Sequence, residues 1–270
     1  MNNIAQRVAV TPLSGSIGAQ VTGLDVRQVT EADMASLNAA FAENLVLIFP
    51  GQALDPLELR AFSERWGRVS ETPMLRYMEG HPGVLQLYNM GKAESITENW
   101  HSDSTFVPRP PAMTILCAQI LPAAGGDTMW CNQYLAYERL SEGLKRLLEG
   151  VRIVFRGTRI ARVLNEAGEP PSALHPVVRT HPVTGRKSLF VGNPGQTAMH
   201  FEGMTVEESL PLLTYLYQVS ALPDLVYRHH WSPGDLVMWD NRCTMHYAVH
   251  DYGEATRVLI RCTLEGEEPR

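Results

Sequence analysis

Apolar positions along this chain switch repeatedly between a period of two and a period near 3.6. Arg7 to Pro12 and Gln20 to Val26 alternate on either side of the turn Ser14-Gly15-Ser16-Ile17-Gly18, which predicts an opening hairpin. Thr30-Glu31-Ala32-Asp33 supplies a hydroxyl cap and acids for a first helical turn, and Met34, Leu37, Phe41 and Leu45 follow at helical spacing. Leu45 to Phe49 is wholly apolar and ends at Pro50-Gly51, as a strand buried on both faces would. Asp55-Pro56 opens a second helix whose Leu59, Phe62 and Trp66 share one face.

Further on, Val84 to Tyr88 and Ala112 to Leu121 read as strands, and Gly125-Gly126-Asp127-Thr128 as a tight turn into Met129-Trp130-Cys131. Gln133 to Leu148 is helical with a break near Ser141. From Arg156 to Ser172 the periodicity dissolves, which predicts a long surface insertion of the kind that covers an active site. Strands return at Pro176 to Thr180 and Ser188 to Val191. Thr205-Val206-Glu207-Glu208 then opens a helix to about Leu222, and Leu225 to Trp231, Leu236 to Asp240, Met245 to His250 and Thr256 to Glu265 are strands. Many short strands with a few outer helices predict a mainly β protein. The expectation is a single domain over residues 1–270 with a double-stranded β-helix (jelly roll) core and flanking α-helices.

Composition narrows the partners. Of 270 residues 44% are hydrophobic and 19% charged, with a net charge of −6, and no basic run is long enough to mark a nucleic-acid groove or an anionic membrane surface. Neither a signal-like apolar stretch nor a membrane-spanning run occurs, so a cytoplasmic location is expected. Cys117, Cys131, Cys243 and Cys262 are scattered and read as small core residues in a reducing compartment.

The candidate chemistry begins at Trp100-His101-Ser102-Asp103-Ser104-Thr105-Phe106. On an extended strand His101 and Asp103 point to the same side and can offer an imidazole and a carboxylate to one metal ion. The last strand places Arg257, Leu259, Arg261 and Thr263 on one face and Val258, Ile260, Cys262 and Leu264 on the other. Guanidiniums turned inward require an anionic partner, and their fork suits a carboxylate. His246, on the preceding strand, would approach the Arg257 strand by antiparallel pairing. His175, His181, His200, His229, His230 and His250 are rival third ligands, and spacing alone leaves the choice open.

These stretches, with Trp239-Asp240-Asn241-Arg242-Cys243-Thr244-Met245-His246, occur in an order that resembles the taurine/2,4-dichlorophenoxyacetate dioxygenase family of Fe(II)- and 2-oxoglutarate-dependent enzymes, from about Val8 to Leu264. The resemblance implies that His101, Asp103 and His246 ligate iron. It also implies that Arg257, helped by Thr128, clamps the distal carboxylate of 2-oxoglutarate, and that Arg261 pairs with an anionic group of the primary substrate. The implied reaction consumes O2 and 2-oxoglutarate, releases succinate and CO2, and hydroxylates the substrate beside a heteroatom so that it fragments. Family members are often dimers or tetramers, so a homo-oligomer is expected.

The run Trp66 to Leu75 lacks the histidine of taurine enzymes and looks closer to the aryloxyalkanoate-cleaving branch, with Met74, Leu75 and Met90 as candidate apolar lining. The substrate expected is therefore a small organic carboxylate, sulfonate or sulfate, and Thr72 to Gly91 and Arg156 to Ser172 are candidate lids. Taurine oxidation proper, a non-redox metal hydrolase or isomerase, and a binding module on the same barrel are the alternatives. The zinc alternative lacks both a His-Glu-x-x-His run and a thiolate cluster.

Overall fold

The computed structural model describes residues 8–72, 75–88, 97–163, 168–194 and 199–270. The hairpin strands are β1 (Ala9–Pro12) and β2 (Ala19–Thr22), followed by α1 (Glu31–Asn44), β3 (Val46–Phe49), α2 (Pro56–Glu64), β4 (Val69–Ser70) and β5 (Leu85–Tyr88). The middle of the chain forms β6 (Met113–Ile120), β7 (Thr128–Asn132), α3 (Gln133–Glu138), α4 (Glu142–Leu148), β8 (Arg152–Arg156), α5 (Thr158–Val163) and β9 (Ser172–Pro176). There follow β10 (Val178–Thr180), β11 (Lys187–Leu189), β12 (His200–Phe201), α6 (Val206–Ser220), β13 (Val226–His229), β14 (Leu236–Asp240), β15 (Thr244–Ala248) and β16 (Val258–Leu264).

The helix starts obey their sequences. Thr30 and Asp33 form a reciprocal capping box on α1, as do Asp55 and Glu58 on α2 and Thr205 and Glu208 on α6. Ser141 caps α4, which is the break foreseen in the Gln133–Leu148 stretch. Leu45 ends α1 in the left-handed region at φ 64° instead of starting the strand.

The jelly-roll expectation is overturned. The large sheet is open: its strands run β1-β2-β3-β14-β6-β16-β4 with β5 also on β16, and among the described residues its end strands do not pair to close a barrel. Among the described residues β13-β7-β15 forms a separate three-stranded sheet with no ladder to the large one. Helices are integral, so the fold is mixed α/β rather than mainly β. Alternation along a chain locates strands but carries no information on whether the outermost ones meet.

Both faces of the large sheet are covered. On one side Met34, Leu37 and Phe41 of α1 and Leu59 and Phe62 of α2 pack on Leu47, Phe49, Ile115, Met238 and Ile260. On the other, Val46, Ile48, Leu116, Trp239 and Leu259 pack against Trp130, Tyr134 and Trp231. This is why β3 reads as continuously apolar. Leu37, Leu47 and Leu59 have 0% exposed surface, and cutting any of them to alanine is expected to cost about 2–5 kcal/mol. A third cluster joins α3, α4 and α6 to β8, β11 and β12.

The aperiodic insertion is partly regular, since Arg156 and Ser172 end paired strands β8 and β9 and α5 lies between them. Pro176 to Thr180, expected as one strand, is split between β9 and β10. Among the described residues no helix is long and apolar enough to cross a membrane.

Candidate metal centre and anion-lined cavity

A cavity of about 510 Å³ lies between the large sheet and the β13-β7-β15 sheet. The expected ligands meet on its wall by a route the sequence did not foresee. His101 and His246 form an isolated antiparallel bridge, with His101 N donating to His246 O at 3.0 Å and His246 N to His101 O at 2.8 Å. Asp103 is not on a strand with His101; it begins a turn in which Ser104 takes φ 47°. β15, carrying His246, pairs with β7 and not with β16. The expected pairing with the Arg257 strand is therefore wrong, and His246 nears that strand across the cavity.

The His101, Asp103 and His246 donor atoms all lie within 4.8 Å of one another. His246 Nε2 is 3.7 Å from Asp103 Oδ1, too far for a hydrogen bond and close enough for both to reach one ion. His101 Nδ1 donates to Asn99 O at 2.7 Å, which makes Nε2 the nitrogen with the lone pair. Burial and the His101 imidazole outweigh the pull of Asp103 and hold the His246 pKa down at about 3, so this ring is neutral and fit to ligate at pH 7. Burial pushes the Asp103 carboxyl up, but the Arg261 guanidinium, the two imidazoles and the Thr114 hydroxyl together bring it to about 2.

Asp103 is oriented by a buried chain. Trp239 Nε1 donates to Asn241 Oδ1 at 2.9 Å, Asn241 Nδ2 to Thr114 Oγ1 at 2.8 Å, and the Thr114 hydroxyl to Asp103 Oδ2 at 2.6 Å. Sequence reasoning missed Thr114 and Asn99 and gave Asn241 no role. The available signal was a lone hydroxyl amid the apolar run Met113-Thr114-Ile115-Leu116.

Arg257 and Arg261 both line the cavity, as their shared strand face predicted, while Ile260 and Cys262 of the opposite face join the helix-covered core. Arg257 is buried, its Nε donates to Gly126 O at 3.0 Å, and its guanidinium lies 5.9 Å from the Trp231 ring centroid and 6.0 Å from that of Tyr252. No carboxylate pairs with it among the described residues, although burial lowers its pKa, as expected for a charge removed from water. Thr128 lines the same wall, and its hydroxyl oxygen accepts from Trp231 Nε1 at 3.0 Å, so the hydroxyl proton remains to be donated elsewhere. Arg261 Nη1 sits 3.6 Å from Asp103 Oδ1.

Four of the rival histidines have partners of their own, although His250 also lines the cavity. His175 Nε2 lies against the carbonyls of Thr105 and Val107, His229 pairs with Asp235, His230 with Asp127 and His250 with Glu98. A second cluster, His181, Asp240 and Cys243, has metal-like spacing. There, His181 Nδ1 accepts from Val183 N and Thr184 N and Nε2 faces Asp240, while Arg242 grips the same carboxylate at 2.8 and 2.6 Å. With both ring nitrogens in use, that cluster is an ion-pair network and not a second metal centre.

Of the two candidate lids, Leu75, Leu85 and Leu87 from one and Arg156, Gly157 and Ile160 from the other line the cavity. Residues 73–74, 89–91 and 164–167, and with them Met74 and Met90, lie outside the described residues.

The family model described as taurine catabolism dioxygenase TauD, TfdA family matches residues 9–263. An alkylsulfatase of Acinetobacter baylyi is 33% identical, over 99% of this chain and 88% of that protein. An alpha-ketoglutarate-dependent sulfate ester dioxygenase of Pseudomonas putida is 32% identical, over 98% of this chain and 92% of that one. The crystal structure of a taurine dioxygenase from Burkholderia xenovorans aligns with a TM-score of 0.85 at 33% identity, over 97% of this chain and 92% of that chain. With a family match over nearly its whole length and a metal-capable triad inside the cavity, this chain belongs to the TauD, TfdA family and is a 2-oxoglutarate-dependent dioxygenase acting on a small organic anion.

Proposed function

We propose that His101, Asp103 and His246 hold Fe(II), that Arg257 and Thr128 receive the distal carboxylate of 2-oxoglutarate, and that Arg261 faces the anionic group of the primary substrate. That substrate is an organic anion with an apolar body, a sulfate ester first and a sulfonate or aryloxyalkanoate second. One observation carries the reading: two imidazoles and a carboxylate within 4.8 Å share a cavity with a buried arginine that pairs with no carboxylate among the described residues. The donor set suits a redox-active divalent ion that keeps positions open for other ligands. Bound there, iron and 2-oxoglutarate would supply the dioxygen chemistry that attacks a substrate C–H bond while 2-oxoglutarate becomes succinate and CO2.

The chain's own residues do the positioning. Neutral His246 offers a lone pair without first losing a proton, and Thr114 fixes the rotation of the Asp103 carboxylate. Arg257 is held by Gly126 O so that its remaining donors meet a planar carboxylate. Leu75, Leu87, Phe106, Leu116, Ile160 and Leu259 give the wall an apolar surface that excludes water and accepts an alkyl or aryl body. Hydroxylation of the carbon bearing a sulfate ester yields a product that collapses to an aldehyde and sulfate. The apolar lining and the two sulfate-ester relatives favour this class over taurine, whose body is short and cationic at one end.

The test is succinate formation from 2-oxoglutarate with a panel of alkyl sulfates, sulfonates and aryloxyalkanoates. Stimulation by at least one class is expected, and His246→Ala should abolish it with an unchanged circular dichroism spectrum. Wild-type turnover in His246→Ala would refute the ligand assignment, and a panel that never exceeds the substrate-free rate would refute the substrate class.

A further inference from the structure

Charges lining the cavity do not balance for a substrate with a single negative charge. Among the described lining residues there are three arginines, Arg156, Arg257 and Arg261, against one carboxylate, Asp103. His246 is neutral, and His250 is paired with Glu98 at 2.7 Å. A divalent ion on the triad and the two negative charges of 2-oxoglutarate cancel, which leaves a surplus of two positive charges for the primary substrate. A monoanion meets one of them, and Arg261, beside the triad, is the one within its reach.

Arg156 is the unassigned charge. It is the last residue of β8, fixed opposite Ser172 in the β8–β9 ladder, so its backbone position is set by a sheet. Gly157 behind it donates its N–H to Pro171 O at 2.8 Å, and a Cβ there would stand 3.1 Å from the Phe106 ring. Arg156 lines the cavity together with Phe106, Gly157 and Ile160, and its strand β8 is not part of the sheet that carries Arg257 and Arg261. Its side chain is exposed and makes no ion pair with any described acid. Arg156 is exposed while the Arg261 side chain is 13% exposed, and Phe106, Leu116, Ile160 and Leu259 line the same cavity as both.

We propose that Arg156 forms a second anion subsite at the outer end of the cavity, and that the preferred substrate is an organic dianion: a sulfate ester or similar group at the inner end and a carboxylate at the other, separated by an apolar spacer. The proposal rests on the reading of His101, Asp103 and His246 as the oxidising centre. An arginine that merely raised the local potential would attract every anion alike; one that pairs with a second group discriminates by the number and spacing of charges.

The experiment is anaerobic calorimetry on the full chain loaded with Mn(II) and 2-oxoglutarate, titrated with hexyl sulfate and with 6-sulfooxyhexanoate at equal ionic strength. Wild-type protein should bind the dianion about fivefold more tightly, the upper end for a solvent-exposed ion pair. Arg156→Gln should bring the ratio close to one and leave hexyl sulfate binding unchanged. Equal affinities in the wild type overturn the proposal, as does a ratio that survives Arg156→Gln, a variant that weakens both ligands alike, or a wild type that binds neither. Failure of the underlying centre shows separately, as absence of succinate formation with every anion tested.

Discussion

Thr114 is the sharpest test of how the carboxylate ligand is held. Its hydroxyl gives the Asp103 side chain the one hydrogen bond this carboxylate receives among the described residues, at 2.6 Å to Oδ2, while Arg261 and His246 face Oδ1 at 3.6 and 3.7 Å, beyond hydrogen-bond reach. Thr114→Val keeps the shape of the side chain and removes the donor. A hydrogen bond to a buried charge is worth about 1.5–3 kcal/mol, and the Asn241 amide that loses its acceptor adds a cost of about 1 kcal/mol or more. Removing a residue that orients a metal ligand weakens metal binding by about 10–100-fold. Free Mn(II) measured by electron paramagnetic resonance at pH 7.5 gives the Kd, and urea unfolding of metal-free protein gives the stability. The expected result is a Kd raised by at least tenfold in Thr114→Val, a stability loss of about 2.5–4 kcal/mol, and near wild-type behaviour in Thr114→Ser. If Thr114→Val lost stability but kept its Mn(II) affinity, the chain from Trp239 to Asp103 would be a packing feature only. If Thr114→Ser failed as badly, the hydroxyl would not be the operative group.

Two other outcomes follow from the same geometry. In Gly126→Ala the new Cβ would stand 2.9 Å from Arg257 Cδ and Nε at a backbone φ of 77°. The variant should raise KM for 2-oxoglutarate by tenfold or more with Mn(II) affinity unchanged, and an unaltered KM would detach Arg257 from co-substrate binding. His246 is depressed from 6.5 to about 3 in the fold, so as pH falls the unfolded chain takes the proton first and stability declines from pH 6.5 downward. Metal-free protein should therefore lose about 1 kcal/mol more between pH 7.5 and 5.5 than His246→Gln does in urea titrations, and identical slopes would contradict a buried neutral imidazole.

Much of this was legible in the chain because it depends on local chemistry. Capping boxes at Thr30, Asp55 and Thr205 fixed helix starts, and alternation along Arg257 to Leu264 assigned the two faces of β16 correctly. Residues drawn together across the fold were legible only through motif resemblance. No spacing rule relates His101 to His246, which meet through one isolated bridge, and Asp103 reaches the centre from a turn instead of a strand. Sheet closure and the partner of β15 are properties of long-range pairing, and there the local reading failed. Arg156 looked like the edge of a featureless insertion because the strand it ends is short and the rest of the cavity wall, including Phe106, lies far off in sequence.

The same distinction explains the buried charges beneath the centre. Asp240 stands between His181 and Arg242, and Arg242 and fully buried Arg179 both lie against Glu267. Burial works to raise the Asp240 carboxyl, yet Arg242 and His181 hold it well below the usual carboxylate range. Such a network is a poor source of stability, since desolvating its members costs about as much as their attraction returns; Arg179 even leaves Nε and one Nη buried without a hydrogen-bond partner among the described residues. Its geometry accounts for its place. Asp240 O accepts from the Thr244 hydroxyl at 2.7 Å, Asn241 N donates to Ala112 O at 2.9 Å, and Ser102 donates to Thr244 O at 2.7 Å. The turn from Asp240 to Thr244 is thereby tied on one side to the charge network and on the other to the segments that carry His101 and Asp103. It presents Asn241 to the Thr114 chain and delivers His246 two residues later. An apolar replacement of the network could match its volume, but it would lack the directed bonds that set this turn.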